Sequence, residues 1–224
     1  PGYARTNQYN IQWSHSQDSK ASANSRFSSS VNFGSSKYFR QSLNSMNVGA
    51  TMNNTLSSSI SYSKTIPIVP LVNFAVAVTH NQNTNTEVVN LTLPSFNASV
   101  DRIFPFAKQD GIKKGIFQNI NFQYSLKGEN RITTTEEFMF KSQMFDTALA
   151  GISHSIPLTT NFKIFKHFSV SAGTNFTENW VFNTNEKFYN PISNSVETVR
   201  KNGFDSYRTY NFSSSIGTTV YGTY

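Results

Sequence analysis

The sequence predicts an all-β fold, an antiparallel transmembrane β-barrel to which this chain contributes roughly ten strands, and three observations carry that prediction. Large apolar side chains alternate with Ser, Thr, Asn and Gln at a period of two. No run approaches the about 20 apolar residues that a membrane-crossing helix needs. Only 14% of the residues are charged, against about 25% in ordinary soluble domains. Hydrophobic residues make up 37% and mean hydropathy is -0.40, too low for a helical membrane protein. A barrel strand, however, needs apolar side chains only at alternate positions over about ten residues.

The run from His167 to Phe182 shows the rhythm best. One parity carries Phe168, Val170, Ala172, Phe176, Trp180 and Phe182; the other carries Ser169, Ser171, Gly173, Asn175, Thr177 and Asn179. Successive strand side chains point to opposite faces, so one wall is greasy and the other wet. The pattern recurs from the start of the chain. Tyr9, Ile11 and Trp13 oppose Asn10, Gln12 and Ser14; Phe27, Val31 and Phe33 oppose Ser28, Ser30 and Asn32. Leu56, Ile60 and Tyr62 oppose Ser57, Ser59, Ser61 and Ser63, and Phe74, Val76 and Val78 oppose Asn73, Ala75, Ala77 and Thr79. Ile120, Phe122, Tyr124 and Leu126 oppose Asn119, Asn121, Gln123 and Ser125; Tyr210, Phe212, Ile216 and Val220 oppose Asn211, Ser213, Ser215 and Thr219. Weaker strands are expected at Val88–Leu93, Phe96–Phe104, Leu149–Ile156 and Thr160–Phe165. Ser36–Asn47 reads equally as a short helix or a loop.

Connections are expected at Asp18–Asn24, Asn81–Thr86, Lys108–Gly115, Gly128–Glu137 and Asn183–Gly203. Pro67, Pro70, Pro94, Pro105 and Pro157 are placed at strand ends or between strands, because proline cannot donate a ladder hydrogen bond. Aromatic content is 14%, and Trp13, Tyr62, Trp180 and Tyr189 fall towards strand ends, as interfacial aromatic belts require. The chain opens with Pro1-Gly2 and stops at Tyr224 inside a strand-like pattern, which reads as an internal piece of a longer protein. Residues 1–224 are expected to form part of a single transmembrane barrel domain.

The same residues argue against soluble chemistry. Net charge is +7, but Lys and Arg are scattered, with Lys113-Lys114 and Arg200-Lys201 the densest pairs, so nucleic acid is not expected as a partner. Anionic headgroups at a membrane surface suit scattered cations better. With no cysteine, disulfides and thiol chemistry are out. His15, His80, His154 and His167 have no metal-ligand spacing. Glu136-Glu137, as strand neighbours, would face opposite ways, and His154 could not pair with Ser153 or Ser155 in triad geometry. No GxSxG elbow, phosphate loop or dinucleotide fingerprint occurs. The expectation is a non-enzymatic chain with no catalytic, cofactor-binding or metal residues, no cofactor, and substrate-binding residues that the sequence does not identify.

Two stretches carry a more specific likeness. Arg26 to Ser42 leads into Asn54 to Lys64; then Val78 to Thr86 is followed by Asn90-Leu91-Thr92-Leu93-Pro94 and Arg102-Ile103-Phe104-Pro105-Phe106. This order resembles the lipopolysaccharide-assembly outer-membrane family LptD in its Bacteroidota form, most clearly over residues 26–106. The resemblance implies a large closed barrel in the bacterial outer membrane that inserts lipopolysaccharide into the outer leaflet. Sugar would pass through the lumen and lipid through a lateral seam. It also implies as partners a lipoprotein plug (LptE-like) in the lumen, a periplasmic lipopolysaccharide-bridge protein and outer-membrane lipids. A porin or nutrient-receptor barrel is the alternative, followed by a soluble secreted β-protein that binds carbohydrate.

Overall fold

A computed structural model describes residues 8–41, 54–108, 111–113, 115–165 and 167–219. Nine strands run in chain order: β1 (Asn10–Ser16), β2 (Ser25–Gly34), β3 (Thr55–Ile66), β4 (Val72–Asn83), β5 (Val88–Ile103), β6 (Asn121–Thr135), β7 (Leu149–Ile164), β8 (Phe168–Asn190) and β9 (Ser195–Thr218). They form one sheet in the order β1-β2-β3-β4-β5-β6-β7-β8-β9, an up-and-down meander. Among the described residues β1 and β9 are the ends of that order and do not pair, so the sheet is not closed. Among the described residues no helix is long and apolar enough to cross a membrane.

Among the described residues nine strands stand where roughly ten were predicted, because two predicted pairs merge. Val88–Leu93 and Phe96–Phe104 fall almost wholly within β5, and Leu149–Ile156 and Thr160–Phe165 within β7. Pro94 and Pro157 therefore lie inside strands rather than between them. In β5 the apolar parity changes phase across Pro94, from Val89, Leu91 and Leu93 to Phe96 and Ala98, which is why the sequence reads as two strands. Two predicted connections are also largely strand. β6 continues through Gly128 to Thr135, and most of Asn183–Gly203 is the outer part of a β8–β9 hairpin with its turn at residues 191–194. Ser36–Asn47 begins as helix α1 (Ser36–Gln41); residues 42–53 lie outside the described set. A second short helix, α2, spans Gly115–Gln118.

The chain divides into two compact units. The first comprises residues 1–65, 74–96 and 128–151. Its apolar core is Val89, Leu91, Ile132, Met139 and Met144, with Phe33, Leu93 and Ala148 packed against it. Met139 and Met144 come from the β6–β7 connection, a strap of two 3-10 turns at Glu136–Phe138 and Ser142–Thr147. Val89 and Ile132 are 0% and 1% exposed, because the strap lies over the sheet there. Gly128 on β6 sits beneath Phe96. A Cβ at Gly128 would fall 3.1 Å from Phe96 Cε2 and closer still to the ring edge, so only glycine admits the ring in that position. The second unit comprises residues 66–73, 97–127 and 152–224 and contains the long hairpin.

Candidate functional site

Register decides what each side of the sheet presents. In β1–β2, Ile11 pairs with Phe33 and Trp13 with Val31, while Gln12 pairs with Asn32 and Ser14 with Ser30. In β2–β3, Phe27 pairs with Tyr62 and Ser29 with Ile60, while Ser28 meets Ser61 and Ser30 meets Ser59. In β8–β9, Val170 pairs with Ile216 and Phe176 with Tyr210; Ser171 meets Ser215 and Asn175 meets Asn211. Apolar parity thus meets apolar parity. A slip of one residue would reverse every face, so this register builds one apolar wall and one polar wall from the sequence alternation. Many apolar side chains stay exposed, including Trp13 at 49%, Phe212 at 74% and Ile216 at 67%.

The polar wall is knitted from neutral groups. Ser28 and Ser61 hydroxyls lie 2.8 Å apart, and Asn81 Nδ2 donates to Ser57 Oγ at 3.2 Å. Thr133 Oγ1 donates to Asn90 Oδ1 at 3.0 Å. Ser155 Oγ donates to Asn175 Oδ1 at 3.0 Å, and Asn175 Nδ2 to Thr177 Oγ1 at 3.1 Å.

Aromatic rings gather at two levels on the apolar wall of the first unit. His15 lies 6.4 Å from Trp13 and 5.6 Å from Phe27. Towards the other end of β2, Phe33 lies 5.6 Å from Tyr9, 5.1 Å from His80 and 6.0 Å from Phe140. The step from Phe27 to Phe33 rises about 20 Å. In the second unit a row crosses four strands, with Tyr124 6.2 Å from His154, His154 4.2 Å from Trp180, and Trp180 5.9 Å from Phe204. Just inside that row, Glu178 Oε1 accepts from Trp180 Nε1 at 3.1 Å and pairs with Arg208 at 3.2 Å. From Phe168 to Phe176 the wall carries no charge and rises about 26 Å. Membrane barrels show an apolar band about 25 Å tall between aromatic girdles.

Beyond Trp180 the register shifts between Val181 and Asn183, and the stretch 183–187 is polar on both faces. Asn183 Nδ2 donates to Asn202 Oδ1 at 2.7 Å, and Glu186 pairs with Lys201.

The groups weighed for chemistry are dispersed. His154 Nδ1 meets Tyr124 Oη at 2.8 Å, while Ser155 bonds Asn175 on the polar wall, so this His–Ser neighbour pair is split between faces. Glu136 and Glu137 lie in a 3-10 turn, at the end of the connection expected for them. Glu136 Oε2 accepts from Ser36 N at 2.9 Å and Gln82 Nε2 at 3.2 Å. Burial first, and the Glu136 carboxylate second, raise the Tyr9 phenol above its ordinary pKa. Lys113 Nζ sits 3.1 Å over the Phe104 ring. Among the described residues no three His, Cys, Asp or Glu side chains cluster as metal ligands. Sequence reasoning missed the Glu136 clasp, whose partners lie 54 and 100 residues away and leave no local pattern.

A family model described as LptD protein matches residues 1–224, the whole chain. The chain belongs to the LptD family. It is therefore a lipopolysaccharide-transport protein of the outer membrane. No curated protein and no solved structure matches it. For an LptD-family chain the nine-stranded antiparallel sheet is the expected material of a barrel wall.

Proposed function

We propose that this chain is part of the wall of a closed outer-membrane barrel that inserts lipopolysaccharide into the outer leaflet, the sugar passing through the lumen and the lipid through a lateral seam. Residues 1–224 form part of a single transmembrane domain, with further strands and a periplasmic domain supplied outside this chain. The observation that carries the reading is the register: apolar parity pairs with apolar parity in β1–β2–β3 and β8–β9. Where the strap does not cover it, the apolar wall faces hydrocarbon, and the hydroxyl and amide wall faces the lumen. Among the described residues β1 and β9 each pair on one side only, which supports the reading, because barrel closure supplies the missing neighbours.

The role is non-enzymatic: it requires a path, not a bond broken. The partners that fit are lipopolysaccharide, a lipoprotein plug of the LptE type within the lumen, a periplasmic bridge protein and outer-membrane lipids. Depletion of the full-length protein in its own cells tests the reading. Newly made lipopolysaccharide at the cell surface should fall while its synthesis continues. Unchanged surface delivery, or ion conductance independent of lipopolysaccharide, overturns it.

A further inference from the structure

The strap encloses more than a core. Within the first unit, a crevice of about 340 Å³ lies between the apolar wall, at Phe33, Val78 and Leu91, and the underside of the strap, at Met139, Phe140 and Met144. That size falls at the small end of ligand pockets, about 300–1,000 Å³. Its sheet side is the same apolar parity that the proposed function sets against hydrocarbon. The crevice is thus continuous with that surface, and whatever bathes the wall reaches its mouth. Around it Ile60 is 36% exposed and Phe140 78%, and beside them Lys141 Nζ sits 5.6 Å from the Phe138 ring. An amphipathic cation next to exposed aromatics suits the level of lipid headgroups.

Three polar side chains, Ser58, Ser59 and His80, line this otherwise greasy space, and Ser58 Oγ is already bonded to Asn32 O at 3.0 Å. His80 is 8% exposed, and its Nε2 lies 3.3 Å from Gln82 Oε1. Gln82 Nε2 donates to Ser36 Oγ at 3.1 Å and to Glu136 Oε2 at 3.2 Å. That fixes the amide orientation, so Oε1 is the acceptor and the hydrogen is on His80 Nε2. In the neutral ring Nδ1 is then an acceptor, and it has no partner. A plain hydrocarbon would leave it unpaired; a chain bearing an O–H would not.

We propose that the crevice beneath the strap holds one acyl chain of a bilayer lipid, with His80 Nδ1 accepting a hydrogen bond from a hydroxyl on that chain. The proposal rests on the membrane reading above. The test uses the full-length protein in phospholipid vesicles with two photoactivatable diazirine fatty acids, one plain and one hydroxylated, and peptide mass spectrometry to locate the label. The hydroxylated probe should mark Met139, Phe140 and Met144 several-fold more than Ile11 and Trp13 on the open wall. Val78→Trp, which fills the crevice from a half-buried position, should abolish strap labelling yet keep wall labelling and the heat-dependent electrophoretic shift of a folded barrel. His80→Phe should erase the preference for the hydroxylated probe. Strap labelling no higher than wall labelling, or unchanged by Val78→Trp, overturns the site. Equal labelling of the unsubstituted protein by both probes overturns the role of His80. Loss of label from Ile11 and Trp13 as well overturns the membrane reading, and the site with it.

Discussion

Ala172 offers a direct test of what touches the apolar wall. It lies midway between Phe168 and Phe176 and pairs with Ser214 across β8–β9, about 13 Å from each end of the uncharged band. An Arg or Lys on the lipid face at the bilayer midplane costs about 2–4 kcal/mol. Ala172→Arg should therefore shift the folding equilibrium by about 30-fold to 1,000-fold. Ser171→Arg, one residue away on the polar wall, should change it little, since its guanidinium stays in water. These two substitutions fix the face but not the medium, because a protein core would also reject arginine. Ala172→Phe separates the cases. Fluid lipid makes room for the ring, so stability should hold or rise, whereas a packed second layer would resist overfilling by about 1–3 kcal/mol. Denaturant unfolding of the full-length protein in lipid vesicles, followed by electrophoretic mobility without boiling, gives all three values. A clear loss with Ala172→Phe, or equal losses with the two arginines, would refute the reasoning.

Three further outcomes follow from named contacts. Glu136→Ala should strand the Ser36 N–H and one N–H of the buried Gln82 amide at a cost of about 1–3 kcal/mol, and limited proteolysis should then cut the strap faster, while Glu136→Gln keeps one acceptor and should lose less. Gly128→Ala should destabilise by about 1–3 kcal/mol through collision with Phe96, and most of that should return in the double variant with Phe96→Ala, as a thermal-unfolding cycle would measure. Tyr124→Phe removes the phenol that meets His154 Nδ1 at 2.8 Å and should cost about 0.5–1.5 kcal/mol, read as a lowered unfolding midpoint.

The fold was legible where polarity alternates along the chain and illegible where it does not. Ser25–Gly34 and the first half of β8 could be read directly, because parity in the sequence is face in the sheet. The outer hairpin could not: Asn183, Thr184, Asn185, Glu186 and Lys187 are polar on both faces, as a strand pair in water is free to be, so they read as a loop. Gly128 and its neighbours Glu129, Asn130 and Arg131 read as a connection for the same reason, although the glycine is buried under an aromatic ring from β5. Pro94 misled in the opposite direction, splitting one strand into two by changing the phase of its alternation. The strap carries neither period. Met144 enters the core from a 3-10 turn and Met139 from the residue after one, and the clasp beside them joins residues far apart in sequence, so only the folded chain brings Glu136 to Gln82 and Ser36.

The chemistry of the polar wall suits the passage proposed for it. A path through a barrel needs contacts good enough to admit the cargo and weak enough to release it. Ser28 and Ser61, or Ser155, Asn175 and Thr177, already satisfy one another. Exchanging such a bond for one to a sugar hydroxyl trades like for like, with little net gain. A row of Lys or Arg would instead hold phosphate through charge-assisted bonds about twice as strong and stall a polyanion in transit. The scarcity of charge that first separates this sequence from a soluble domain is thus the property a lumen for a phosphorylated glycolipid requires. The same economy explains the placement of Glu178 and Arg208. On the apolar wall they neutralise each other beside Trp180, at the edge of the uncharged band, where the proposed placement puts the boundary between hydrocarbon and water and an ion pair can be solvated.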